Sequence, residues 1–162
     1  MAGGNGAGST NDRLNSPWGI FVDVNGTLFI VDRSNHRVQR WAAGKSDMIS
    51  YDRNEPFFLG AISGTTVAGS TGDPGPYAYQ FSSPTAITFD PFGFMYVLDM
   101  SNNRVQRWLP GASYGVTVVA ASMSSPTGLH VGPTGDLVVI DSSNHRVLSF
   151  AISCRKFSNA LQ

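Results

Sequence analysis

The 162-residue chain carries 11 basic and 11 acidic residues, and this balance weakens any reading as a general nucleic-acid binder, which needs a basic excess to neutralise phosphates. Its hydrophobic content of 41% and aromatic content of 11% suffice for a packed core and argue against disorder. A single cysteine, Cys154, rules out an internal disulfide and a cysteine-rich zinc module, and no apolar run reaches the length of a membrane span.

The chain opens Met1-Ala2-Gly3-Gly4-Asn5-Gly6, without a basic n-region or an apolar h-region, so no signal peptide is expected and the expectation tilts toward the cytoplasm. Three segments then align without gaps, starting at Pro17, Pro84 and Pro126 and ending at Trp41, Trp108 and Phe150. Within them Gly26, Gly93 and Gly135 share one position, as do Asp32, Asp99 and Asp141, and Asn35, Asn102 and Asn144. Arg37-Val38, Arg104-Val105 and Arg146-Val147 complete the pattern. The second and third copies lie 42 residues apart, a period typical of four-stranded propeller blades. The first and second lie 67 apart, which places an insertion within residues 42–59. Glycine-rich connectors (residues 2–8 and 68–75) precede the first two copies, whereas the third has only the short stretch 120–125.

Each copy reads as strands. Gly19 to Asp23 is a short innermost strand. The pairs Asn25-Gly26, Phe92-Gly93 and Thr134-Gly135 are hairpin turns, with glycine supplying the positive φ that a tight turn needs. The runs Leu28 to Val31, Met95 to Leu98 and Leu137 to Ile140 are apolar on both faces, which requires packing on both sides. Asp-x-Ser-Asn then turns the chain, its Asp expected to accept from backbone N–H groups two or three residues on. Arg-Val-Gln-Arg-Trp forms a third strand, and Thr65 to Ala68 and Val116 to Val119 form fourth, outer strands. Helical periodicity is absent. The expectation is all-β, with repeats at about 14–68, 84–121 and 126–157 in a single domain and an excursion at 42–59.

The motifs Asn35-His36-Arg37-Val38 and Asn144-His145-Arg146-Val147, with Asn103 in place of histidine in the second copy, resemble the NHL repeat. The resemblance covers roughly 14–150 and implies β-propeller blades, usually six to a ring in that family. The family contains protein-binding modules, RNA-binding modules and propellers of ubiquitin ligases, and is related to a propeller lyase. Three repeats cannot close a ring, because propellers have about four to eight blades. The expectation is therefore half of a propeller, whether a fragment, a truncated product or a half that assembles, and two copies could close a ring as a homodimer.

Residues capable of chemistry have structural readings beside them. Asp32, Asp99 and Asp141 read as turn-formers rather than a carboxylate cluster, because each occupies the same repeat position. His36 and His145 read as turn histidines hydrogen-bonded to backbone, and His130 as a core histidine, rather than as metal ligands. Arg37, Arg104 and Arg146 read as blade-to-blade hydrogen-bond donors rather than an anion-binding ring, and Trp41, Trp108 and Phe150 as blade packing. The glycine-rich connectors lack the lysine and helix of a phosphate loop, and Cys154 lacks an identifiable base. No cofactor is expected.

The expected role is a non-catalytic scaffold that binds protein or peptide partners. Propeller connectivity places Trp18, Thr85 and Thr127 on one face with Arg33, Met100 and Ser142, the latter three at the one varying position of Asp-x-Ser-Asn. These six residues are the candidate partner-binding set. A metal-dependent lyase or lactonase is the enzyme alternative and would need inward-facing histidines and carboxylates from several blades. An RNA-binding role would need a basic face, and Arg33 is the one charged residue among the six.

Overall fold

The computed structural model describes residues 2–42 and 62–152; most of the 42–59 excursion, and the third repeat beyond 152, lie outside the described residues. Among the described residues eleven strands form three antiparallel sheets. The first contains β1 (Pro17–Val22), β2 (Leu28–Asp32), β3 (Arg37–Trp41) and β4 (Thr65–Gly69), in that spatial order. The second contains β5 (Pro84–Phe89), β6 (Met95–Asp99), β7 (Arg104–Trp108) and β8 (Val116–Ala120). The third contains β9 (Pro126–Val131), β10 (Leu137–Asp141) and β11 (Arg146–Phe150). Among the described residues the only helical segments are three-residue 3₁₀ turns at Arg33–Asn35, Met100–Asn102 and Ser142–Asn144, so the all-β reading holds.

Hairpin chemistry sets the register at one end of each sheet. Gly26, Gly93 and Gly135 have φ of 77°, 84° and 88°, the left-handed conformation that the turn demands. In the first two hairpins an aspartate completes the turn: Asp23 Oδ1 accepts the N–H groups of Asn25 and Thr27, and Asp90 Oδ1 those of Phe92 and Phe94. The third hairpin has Gly132 at that position and closes with backbone bonds, with Thr134 Oγ1 donating to Asp136 Oδ2 beside them.

The sheets stack face to face as successive blades, which explains the apolar middle strands. Val31 and Val38, paired across β2 and β3, face the second blade and pack with Ile87, Met95, Val97 and Trp108. The opposite face of the second blade presents Ala86, Tyr96, Leu98 and Val105 to Leu137 and Val139 of the third. Between blades, connector side chains plug the margin: Phe81 joins the first cluster and Met123 the second. Each fully buried valine or leucine contributes about 1.5–3 kcal/mol by leaving water.

The third strand shows how one substitution constrains another. Trp41 Nε1 donates to Gln39 Oε1, and Trp108 Nε1 to Gln106 Oε1, each at 3.1 Å. Both glutamines are fully buried, and their Nε2 groups have no partner among the described residues. Gly64 and Gly115 lie so close over the two indoles that a Cβ there would collide with the ring. In the third blade the same positions hold Leu148 and Phe150. Phenylalanine has no N–H to satisfy, so the buried amide is replaced by a hydrocarbon. This gives a first prediction. Trp108→Phe alone strands the Gln106 carbonyl and should cost about 1–3 kcal/mol beyond lost packing. Adding Gln106→Leu should recover part of that loss. Chemical denaturation of both single variants and the double variant measures the coupling, and strict additivity would show that the pair does not act as a unit.

Candidate binding face

At the end of the blades away from the hairpins, the Asp-x-Ser-Asn turns meet the connectors that enter each blade. The aspartates act differently from the sequence expectation. No aspartate side chain caps its own 3₁₀ turn. Instead Asp32 Oδ1 accepts the Asn15 N–H, 17 residues back, at 2.7 Å, while Oδ2 accepts Asn35 Nδ2 and Arg37 Nε, both at 2.8 Å. Asp99 repeats this with Ser82, Asn102 and Arg104, and Asp141 with Ser124, Asn144 and Arg146. The carboxylate therefore ties the incoming connector to the turn rather than shaping the turn itself.

The arginines also differ from expectation, since their partners are connector carbonyls rather than strands of the next blade. Arg37 donates to the carbonyls of Ser9, Thr10 and Arg13 and to the Thr71 hydroxyl. Arg104 donates to the carbonyls of Pro76, Tyr77 and Gln80. Arg146 reaches only the Ser122 carbonyl besides its aspartate. Side-chain exposure follows: 1% for Arg37, 10% for Arg104 and 49% for Arg146. The short connector before the third blade cannot wrap its arginine. The residues that follow the glycine-rich connectors thus present carbonyls to a guanidinium, the reverse of a phosphate loop.

Burial weighs differently on the carboxylates. Burial raises Asp99 above its ordinary value, against the opposing pull of Asn102, Ser82 and Arg104. For Asp141 burial again opposes ionisation, but Asn144, Ser124 and Arg146 outweigh it and hold the carboxyl below the usual value. The second blade is covered on both sides, whereas the third has a described neighbour on one.

His36, Asn103 and His145 all adopt the left-handed conformation, with φ of 57°, 50° and 51°. His36 Nδ1 accepts the Ser83 N–H at 3.2 Å, clasping the first blade's turn to the connector that enters the second. Burial lowers the His36 pKa below the ordinary imidazole value, although Asp99 and Asp32 pull it upward. His130 is exposed on β9 and is not a core histidine, because its face of the third blade has no described neighbour. Among the described residues no group of three histidine, cysteine, aspartate or glutamate residues is placed to hold a metal ion.

The candidate set divides by blade. The Arg33 guanidinium lies 4.8 Å from the centre of the exposed Trp18 ring. Thr127 and Ser142 share a hydrogen bond of 2.6 Å, and Met100 is partly exposed. Thr85 is the exception: it is buried, and its hydroxyl donates to the Pro126 carbonyl of the next blade at 3.0 Å. It supports blade docking instead of lining the surface.

Sequence reasoning missed a second feature at the hairpin end. Phe21, Phe89, Pro91, Phe92, Val131 and Pro133 line an open depression of about 640 Å³. Phe89 lies 4.7 Å from both Phe21 and Phe29, centre to centre. Asp90 also lies there, but its carboxylate is occupied by the turn and by the Tyr96 hydroxyl. Burial and that carboxylate push the Tyr96 pKa up to about 12. Phe21 lines it, whereas Thr88 and His130 at the aligned positions do not, and the rest of the lining comes from the second and third hairpins.

Stacked antiparallel blades with hairpin turns at one end and pinned connectors at the other define a β-propeller arc. The NHL repeat model matches residues 14–41 and 123–150, within the first and third copies of the repeat. No curated protein matches the sequence. Among solved structures, the chain resembles an auxiliary nutrient binding protein from Bacteroides thetaiotaomicron (TM-score 0.64, 13% identity, covering 82% of this chain and 36% of that one). A second auxiliary nutrient binding protein, from Bacteroides ovatus, gives TM-score 0.63 at 15% identity, covering 82% and 36%. A catalytically inactive virginiamycin B lyase from Staphylococcus aureus with quinupristin gives 0.53 at 13% identity, covering 93% and 44%. The chain spans less than half the length of each, and at these identities the likeness is one of fold.

Asp99→Ala strands the Arg104 charge in a buried site and should cost about 3–5 kcal/mol, more than loss of a simple turn cap. Asp141→Ala should cost clearly less, because Arg146 can recover water. Urea denaturation of the two variants checks the order, and equal losses would contradict it. His36 is kept neutral by the fold, so below the ordinary imidazole value of about 6.5 the unfolded chain takes up a proton that the folded chain resists. Its contribution is fully present above that pH and is lost as the pH falls through the lowered folded value. Melting temperatures of the native protein and His36→Asn should converge on acidification, and a difference that is constant with pH would exclude the effect.

Proposed function

We propose that the chain is a non-catalytic interaction scaffold that recognises a protein or peptide partner through the face bearing Trp18 and Arg33. The carrying observation is the exposed Trp18 ring beneath the Arg33 guanidinium, at repeat positions where the other copies have threonine and uncharged residues. Tryptophan and arginine are the residue types that most often dominate the energy of protein interfaces. The stacked guanidinium is pre-ordered, and no acidic partner occupies it among the described residues, so it suits a peptide carboxylate. Thr127 and Ser142 extend the same face across the third blade, with Met100 between them and the first.

A binding role accords with the engagement of Asp32, Asp99 and Asp141. Each carboxylate is held by an arginine, an asparagine and a backbone N–H, which leaves it poorly placed for acid–base chemistry. Panning a displayed peptide library against the protein tests the proposal. Selected peptides should carry acidic residues, and Trp18→Ala or Arg33→Ala should weaken their binding by about thirtyfold. Thermal stability of the Trp18 variant should change little, since surface truncations usually stay within about 0.5 kcal/mol. Binders indifferent to both substitutions would place recognition elsewhere.

A further inference from the structure

The blade–blade interface is built twice within the chain, and among the described residues each outer blade retains one unused half of it. On the side that receives the next blade, Val38 and Val105 are fully buried, yet the equivalent Val147 is 65% exposed. Val31 and Leu98 are likewise sealed, while the equivalent Ile140 is 48% exposed. On the complementary side, Ile87 of the second blade is 6% exposed, whereas the equivalent Ile20 of the first is 66% exposed. Val22 beside it is also exposed.

Each polar contact of the interface occurs once within the chain and has an unpaired counterpart on the outer blades. His36 takes the Ser83 N–H of the next blade's entry, and His145 stands exposed in the same left-handed conformation. Its structural counterpart to Ser83 would be Ser16, which is exposed, has φ of 49° and precedes the first strand. Thr85 donates to the Pro126 carbonyl, and Thr127 occupies the equivalent place facing no described blade. Either hydroxyl of the Thr127–Ser142 pair can be its donor, so Ser142 can donate to Thr127 while the Thr127 proton reaches outward.

We propose that these halves pair between two copies of the chain, the third blade of each copy docking on the first blade of the other. Ile140 and Val147 cover Ile20 and Val22, His145 accepts the N–H of Ser16, and Thr127 donates to the carbonyl of Pro17. The occupant is a second copy because its first blade offers the donor and acceptor that the third blade lacks, the former as used at the first internal junction and the latter as used at the second. The contact joins unlike surfaces, so it forms a ring only if rotation closes. Propellers close at about four to eight blades, a range that the three described blades of two copies together reach. This assembly shares Thr127 with the proposed binding face but does not use the Trp18 or Arg33 side chains.

Sedimentation equilibrium of the 162-residue chain over a dilution series tests it. A limiting mass twice the 17.3 kDa of one chain is expected. Ile140→Glu and Ile20→Lys, each at a side chain already exposed in the single chain, should separately return the mass to that of one chain, with unchanged circular dichroism and cooperative melting. His145→Ala should raise the dissociation constant about tenfold, one hydrogen bond being lost at each of two contacts. A single-chain mass at the highest soluble concentration would overturn the proposal. So would a dimer that survives both charge variants, or a mass that grows without limit.

Discussion

The structure depends on a buried guanidinium that binds irregular backbone. A propeller blade needs a connector from its predecessor's outer edge to its own innermost strand. Such a connector exposes carbonyls that no sheet ladder satisfies. Arg37 and Arg104 meet those carbonyls with rigidly arrayed donors, while Asp32 and Asp99 neutralise the charge and hold the connector's N–H. Replacing a buried ion pair by hydrocarbon is often neutral or better for stability. Its use here is directional: the Asp-x-Ser-Asn turn, the third strand and the incoming connector are held in one geometry.

That geometry places the variable surface. With the connector pinned to the turn, the residue after each entry proline lies beside the residue after each aspartate. Trp18 consequently stacks under Arg33, and Thr127 meets Ser142. In the second blade the same entry position turns inward, where Thr85 bonds to the neighbouring blade. One repeat position thus serves recognition or assembly according to its side chain. At the opposite end, hairpin loops and phenylalanines enclose the depression around Phe89.

Blade packing follows the same economy of roles. Phe81 and Met123 seal the two internal interfaces from the connectors, and His36 adds a hydrogen bond across the first. Where a neighbouring blade is absent among the described residues, equivalent side chains emerge into solvent. Val147, Ile140 and His130 on one side and Ile20 and Val22 on the other differ from their buried counterparts in surroundings more than in kind.

The sequence by itself determined the strands, the hairpin glycines and the repeat, because those rest on local backbone geometry and on periods of two residues and of one blade. It also marked Trp18 and Arg33, since departures from a repeat are visible without coordinates. The partners of Asp32 and Arg37 were decided by tertiary structure: Asn15 and Ser9 lie 17 and 28 residues away, beyond any turn rule. Folding likewise decided that Thr85 is buried and His130 exposed, although both sit on innermost strands. Composition can require that an apolar strand be covered on both sides, but burial belongs to the assembled neighbours, and only the packed blades show which faces have them.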